Sequence, residues 1–300
     1  MRIEELLLNH RKNNYTKNPQ KLHFEGFKDK DIYNPTQAFS YQNKTLIAAR
    51  VEKRESEDSR VVFFEKTFNN NYQKVIDLKE FALQDPFLTE INNRYIFGGT
   101  EVFFSASNKR IISWRTSFYQ GESLTKLKLF FSGPQKMKDV RMVQLNDGKI
   151  GVFTRPQGGI YAGGKIGFTI INCFDELTHE VINNAEILPL FNGNEWGGVN
   201  QVFKLNETKL AVLGHIAKFS NNNIRHYYAL TFVFDYHAFK IEKLKIVAER
   251  KDFLKGEYKR PDLIDVIFSG GLTRINEDYD LYVGTSDAEV QKITIKDPFK

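Results

Sequence analysis

Over most of the chain, apolar and polar positions alternate with a period of two rather than 3.6, which predicts strands. Short runs rich in β-branched and aromatic residues stand at 45–52 (TLIAARVE), 60–64 (RVVFF), 94–97 (RYIF), 149–154 (KIGVFT), 165–172 (KIGFTIIN), 209–214 (KLAVLG) and 228–235 (YALTFVFD). Each is bounded by Asn, Asp or Gly. Turn residues cluster between them at Asn92-Asn93, Asn146-Asp147-Gly148, Asn206-Glu207 and Asn276-Glu277-Asp278. Helical signals are few. Residues 3–10 offer two amphipathic turns with Ile3, Leu6 and Leu7 on one face, and residues 78–83 offer a single turn. Strands do not alternate with helices, so doubly wound and α/β-barrel architectures are not expected. No linker divides the chain. The expected organisation is an N-terminal extension over 1–20 with a short helix, then one domain over 21–300.

A repeat runs through that domain. A polar marker precedes an extended run, then a turn, then a second run ending in a polar or glycine group. The markers are Asn34, Asp85, Asp139, Asn200 and Asp265, spaced 51, 54, 61 and 65 residues apart. The paired second runs end at Ala49-Arg50, Gly98-Gly99, Thr154-Arg155, Gly214-His215 and Gly284-Thr285. Five units of strand and turn, each long enough for four strands, predict an all-β fold, a five-bladed β-propeller. Innermost strands of a propeller surround one channel, so equivalent strand ends meet at one mouth. The five markers would meet there with Arg50, Arg155 and His215. The plainer reading of each marker is a turn residue ahead of a strand.

Composition narrows the class. Hydrophobic residues make up 41% and charged residues 27%, with 26 Phe and 13 Tyr, which is a well-packed globule and not a disordered chain. The net charge of +6 is spread along the chain without an arginine-rich arm or lysine block, so no nucleic-acid partner is expected. No apolar stretch is long enough to span a bilayer, and the N-terminal apolar run is too short for a signal peptide. The single cysteine, Cys173, excludes an internal disulfide and fits a reducing, cytoplasmic compartment. The six histidines have no zinc-site spacing, and there is no GxSxG, GxxxxGK[ST] or GxGxxG, so no metal or nucleotide-loop cofactor is expected.

Two carboxylates in one polar pocket suit glycoside chemistry, in which an acid protonates the leaving oxygen and a second group works from the opposite face. Asp85 and Asp139 are the candidates. The same rim would carry Arg50, Arg115, Lys138, Arg155 and His215, a set suited to phosphate. Phosphate is its own nucleophile, so one acid and a basic cradle would suffice. Plainer alternatives stand beside these. Arg50 could pair with Glu52 or Glu57, Arg155-Pro156 could simply end a strand, and His215 could be a satisfied core histidine. Trp114-Arg115 could stack on the surface, and Glu195-Trp196-Gly197-Gly198 could be a tight turn or a sugar-stacking platform.

Residues 31–36 (DIYNPT) and 49–59 (ARVEKRESEDS) resemble the opening of domain-of-unknown-function family 1861, also called the mannosyltransferase/phosphorylase family. Lys138-Asp139, Arg155-Pro156, Leu213-Gly214-His215, 268–271 (FSGG) and 282–287 (YVGTSD) resemble blade signatures of glycoside hydrolase family 130. The resemblance covers the chain from about residue 20 onward. It implies a five-bladed propeller acting on β-mannosides, often as an inverting phosphorylase. Family 130 carries its catalytic Asp in Glu-Asp-Pro-Arg, and Gln84-Asp85-Pro86-Phe87 stands in that place. By resemblance Asp85 is the acid, acting through the 3-hydroxyl of the mannosyl unit while phosphate attacks the other face. Lys138, Arg115 and His215 then lie on the phosphate side. Arg50, Asp139 and Arg155 become sugar or phosphate contacts.

Gln84 and Phe87 depart from the motif, so contacts made by its Glu and Arg do not carry over. Asn34 stands where propeller glycosidases of other families place an Asp. Asn34, Asn200 and Asp265 complete the expected substrate-binding ring. The expected co-substrate is inorganic phosphate or mannose 1-phosphate, with an oligosaccharide as partner and no further cofactor. A hydrolase in which Asp139 activates water, and a non-catalytic sugar-binding propeller, are the competing readings.

Overall fold

The computed structural model describes residues 3–13, 15–108 and 110–300. Five sheets follow one another around a central axis, each starting at the axis and stepping outward. In the first blade, Asp31–Tyr33 and Phe39–Tyr41 both pair with Lys44–Glu52, followed outward by Arg60–Lys66, Asn71–Lys74 and the parallel strand His23–Glu25. The inner strands of the next four blades are Gln84–Ile91, Arg141–Gln144, Trp196–Lys204 and Ile267–Ile275. The fifth blade takes its outermost strand, Lys17–Lys21, from the start of the chain, pairing it antiparallel with Glu289–Lys296. The expected boundary at residue 20 falls within this strand. No helix among the described residues is long and apolar enough to cross a membrane.

Buried apolar residues divide into five clusters, one between each pair of neighbouring blades. Strands therefore bury both faces. Leu46, Ala48, Val61 and Phe63 point into the cluster shared with the second blade, and Ile47, Ala49, Val62 and Phe64 into the one shared with the fifth. This two-sided burial is why those strands read as unbroken apolar runs rather than clean alternation. The helical turn expected at 78–83 is absent. Phe81 instead exchanges backbone hydrogen bonds with Val61 at 2.8 and 3.1 Å, and Leu78, Phe81 and Leu83 enter the core. The N-terminal helix α1 runs Ile3–Lys12, with Ile3, Leu6, Leu7 and His10 buried.

The repeat markers have a backbone cause. Each inner strand kinks near the channel mouth. Asn34, Asp85 and Asp139 take left-handed conformations there, with φ of 45°, 50° and 60°. Asn and Asp tolerate that region best among non-glycine residues. In the fourth blade a register shift brackets Asn200, and in the fifth the equivalent shift lies between Ser269 and Gly271. The fifth marker is therefore Gly270 and not Asp265. A Cβ on Gly270 would lie 2.0 Å from the Pro35 carbonyl oxygen, so no side chain fits where the first and fifth blades meet. Asp265 lies ahead of its strand, and its carboxylate meets His226 Nδ1 at 2.5 Å.

Candidate active site

Two of the kinks, at Asn34 and Asp85, aim their side chains into a pocket of about 920 Å³, whereas Asp139 and Asn200 do not line it. Asp85 sits on its floor, with a side chain only 4% exposed. The Asn34 amide donates to Asp85 Oδ1 at 2.7 Å, and Arg50 Nη1 lies 3.6 Å from the same oxygen. Lys138 Nζ stands 3.7 Å from Oδ2. These four residues come from three blades, and all line the pocket.

Arg50 reaches the floor from the second strand of the first blade, where burial makes its pairing structural as well as chemical. Its Nη2 binds Glu52 Oε2 and Glu57 Oε2, each at 2.8 Å, and its Nε meets Ser59 Oγ at 3.0 Å. The pairing expected at the surface is thus made in the interior. Lys259, from the last blade, also joins Glu52 and binds Glu57 at 2.9 Å. Burial would raise the Glu57 pKa, but the charges and hydrogen bonds of Arg50 and Lys259 outweigh it and hold Glu57 below the usual carboxylate range. Asp287 lines the same pocket under the opposite balance. Burial, reinforced by Asp85, pushes its pKa up to about 6 against the pull of Arg50 and Lys259.

A second layer lies beneath the pocket wall. Arg155 Nη1 binds Asp139 Oδ2 at 2.7 Å, Arg155 Nε donates to the Gly197 carbonyl at 2.7 Å, and Arg141 Nη2 lies 3.6 Å from Asp139 Oδ1. Asp139 is 1% exposed. Burial acts to raise its pKa, but the charges of Arg155, Lys138 and Arg141 together hold it far below the ordinary value. Asp139 is therefore the fixed counter-ion of Arg155, and Arg155 presents itself to the pocket. His215 Nδ1 lies 2.9 Å from Asn200 Oδ1. Burial first, then the Arg155 charge, pushes the His215 pKa down to about 3. His215 is neutral at pH 7 and does not belong to a cationic set. Gly198 sits among these groups, where a Cβ would come within 2.9 Å of Arg155 Cδ and 3.0 Å of His215 Cε1. That close approach explains Gly198, and at Gly197 a Cβ would lie 2.2 Å from the His215 carbonyl oxygen.

Arg115 is not brought to the pocket. It pairs in register with Glu101, binds that carboxylate at 2.7 Å and lies over Phe103. Its neighbour Trp114 lies on the other face of the strand and lines the pocket, donating from Nε1 to Gln157 Oε1 at 3.2 Å. Successive residues of a strand face opposite sides, so one position decides which enters. Sequence reasoning missed Glu57, Asp287 and the cations Arg225 and Arg260, which line the pocket. Arg260-Pro261 repeats the dipeptide of Arg155-Pro156, a signal that was available. The His/Cys/Asp/Glu grouping found at metal-ligand spacing among the described residues is His10, Glu249 and Asp252. It lies at α1, where Glu249 already binds Arg11 and Lys251.

A family described as "Protein of unknown function (DUF1861)" matches residues 9–300. The chain belongs to the DUF1861 family. Among solved structures, this DUF1861 chain is similar to MPT-4, a mannose phosphorylase from Leishmania mexicana determined with a phosphate ion, at 35% identity and a TM-score of 0.92. That match covers 99% of this chain and 93% of the other. MPT-1, a GDP-Man-dependent mannosyltransferase from the same organism, is 31% identical with a TM-score of 0.91, covering 100% and 95%. The β-1,2-mannobiose phosphorylase of Listeria innocua shares only the fold, at 13% identity and a TM-score of 0.64 over 90% and 91%. No curated protein sequence matches.

Proposed function

We propose that this DUF1861 protein transfers mannosyl units, cleaving β-mannosides with inorganic phosphate and running the same step backwards from mannose 1-phosphate. The observation carrying this reading is Asp85, a carboxylate on the pocket floor between a neutral donor, Asn34, and a cation, Lys138, 3.7 Å away. The likeness to a phosphate-bound mannose phosphorylase supports it.

In the proposed step, the bond from the anomeric carbon to the leaving oxygen breaks as a phosphate oxygen bonds that carbon from the opposite face. The leaving oxygen gains the Asp85 proton, relayed through the sugar's 3-hydroxyl, and Asp85 is left as a carboxylate. Lys138 and Arg155 line the same pocket and supply charge for the phosphate. A hydrolase using Asp139 as base is disfavoured, because that carboxylate is buried and taken by Arg155. A second reading, transfer from a nucleotide-linked mannose, is favoured by the 31% identity to a GDP-Man-dependent enzyme.

The test is incubation with mannose 1-phosphate and a panel of mannoside acceptors, following phosphate release. Acceptor-dependent release is expected. No release from mannose 1-phosphate, with transfer from GDP-mannose, would move the assignment to the second reading. Cleavage of mannosides by water alone, at the same rate with and without phosphate, would replace both with a hydrolase.

A further inference from the structure

Helix α1 lies outside the five sheets, and none of its residues lines the pocket. Its apolar face enters the core between the third and fourth blades through Ile3, Leu6 and Leu7. Its last turn is pinned by His10 to Asp252 at 2.8 Å and by Arg11 to Glu249 through two hydrogen bonds of 2.8 and 2.7 Å. The first turn makes polar contacts of another kind. The Ile3 backbone N–H donates to Glu195 Oε1 at 2.9 Å, and the Glu4 carboxylate binds Lys218.

Both partners stand next to a pocket aromatic. Glu195 precedes Trp196, and Lys218 precedes Phe219. Trp196 and Phe219 line the pocket with ring centroids 4.9 Å apart. Glu195 is 8% exposed and held from its other side too, since Oε2 accepts the Asn192 N–H at 3.0 Å. A carboxylate at a helix N-terminus is favoured by the helix dipole, so the attachment is electrostatically sound. Onward from Trp196, the indole N–H donates to the Tyr227 hydroxyl at 3.1 Å, and the Tyr227 ring stacks over His215 at 5.5 Å.

We propose that α1 braces the aromatic wall of the sugar pocket, and that Glu195 is the positioning residue through which it acts. The inference rests on the mannosyl-transfer reading for the wall's ligand. Aromatic faces pack against the C–H faces of a sugar ring, and a misplacement of about 1 Å weakens such a site strongly. The brace therefore acts on how the oligosaccharide is held, while Asp85 and Lys138 remain as they are. The Glu4 side chain is 64% exposed, so its pair with Lys218 contributes little, and Glu195 carries the effect.

The test compares Glu195→Ala and Glu195→Gln in the full chain. Glu195→Ala should raise KM for the mannoside about tenfold, leaving kcat and the phosphate KM within about twofold. Glu195→Gln keeps an oxygen for the Ile3 N–H and should show a smaller rise. An unchanged mannoside KM, or equal rises in the mannoside and phosphate KM, would overturn the brace. A second arm needs no turnover. In a Trp114→Phe background Trp196 is the one remaining tryptophan of the chain's two, and Glu195→Ala should increase its acrylamide quenching with far-UV dichroism unchanged. Unchanged quenching overturns the brace whatever the substrate. Increased quenching in a protein inactive on every mannoside supports the brace and overturns only the functional reading. Should Glu195→Ala fail to fold, the Gln variant in both arms decides.

Discussion

Lys138 Nζ lies 3.7 Å from Asp85 Oδ2, while the Asn34 amide holds the other oxygen of that carboxylate at 2.7 Å. One oxygen is thus committed to the fold, and the other faces a cation that is itself one-third exposed. On the proposed reading, a proton donor and an anion-binding charge share one edge of one side chain, which fits a reaction joining proton donation to phosphate attack.

Asp85→Asn should keep the Asn34 contact geometry and the fold while losing the acidic proton. Turnover is expected to fall by about 10²–10⁴-fold, the usual contribution of general acid catalysis, with mannoside affinity retained. The check is the rate of mannose 1-phosphate formation beside a direct binding measurement. Near-normal turnover would take the acid role away from Asp85.

Lys138→Met deletes the charge and keeps the aliphatic stem. Losing one charge-assisted hydrogen bond of about 1.5–3 kcal/mol should raise the phosphate KM roughly ten- to a hundredfold, with little change in binding of an uncharged mannoside. Arg115 supplies the contrast. Its side chain is committed to Glu101 on the far face of its strand, so Arg115→Ala should leave the phosphate KM within about twofold and, as a partly exposed pair, cost at most about 1 kcal/mol. A larger phosphate defect in Arg115→Ala than in Lys138→Met would contradict the placement of both.

Asp139→Ala, beneath the pocket wall, should be the most damaging of these substitutions for stability. It strips the counter-ion from Arg155, which is 2% exposed, and removing one partner of a buried pair costs about 3–5 kcal/mol. The wild-type pair also makes stability depend on pH. Because the Asp139 pKa is depressed in the folded state, its contribution is complete above the unfolded carboxylate pKa near 4 and is lost as pH falls below it. Urea unfolding of both proteins at pH 3 and pH 7 should show the difference shrinking at the lower pH.

Asp287 has the reverse sign. Its folded pKa, about 6, lies above the unfolded value, so the folded state binds the extra proton. Stability contributed by the protonated form is present below about pH 4 and lost as pH rises through about 6. Asp287→Asn cannot ionise, and Asn accepts the positive φ of 52° at that position. The variant should therefore be more stable than wild type by about 1–3 kcal/mol at pH 8, with little difference at pH 4. Equal stability at both values would place the Asp287 carboxylate in ordinary solvent.

The propeller was legible in the sequence because the kink at each inner strand demands a residue that tolerates left-handed backbone. Asn34, Asp85 and Asp139 advertise that demand directly. Gly270 meets its blade's version of the problem by having no side chain, and so left Asp265 as the nearest acidic residue to be misread. The floor was legible where it lay beside a marker, as with Lys138, or at a paired strand end, as with Arg50 and Arg155. It was not legible where ring closure brings distant segments together. Lys259 meets Glu57 across 202 residues, and no local pattern encodes that meeting. Arg115 fails for a different reason: a shift of one residue in a strand exchanges faces. The charge state of His215 depends on burial, which its own run of residues does not specify.

The pairing of Lys17 with Thr294 also sets an order of events at the ribosome. Lys17–Lys21 emerges ahead of all five inner strands and must wait, with an unpaired edge, until Glu289–Lys296 has been made. Apart from His23–Glu25, added in parallel to Asn71–Lys74, the earlier blades assemble from hairpins of near neighbours, but the ring cannot shut by local contacts, and closing so long a loop is slow. Until then the fifth-blade sheet edge and the Lys17–Lys21 segment are each open to pairing with another chain. Newly made protein should therefore be most prone to association in this last interval, and a permutant that moves Lys17–Lys21 to follow Glu289–Lys296 should close by a hairpin and escape it.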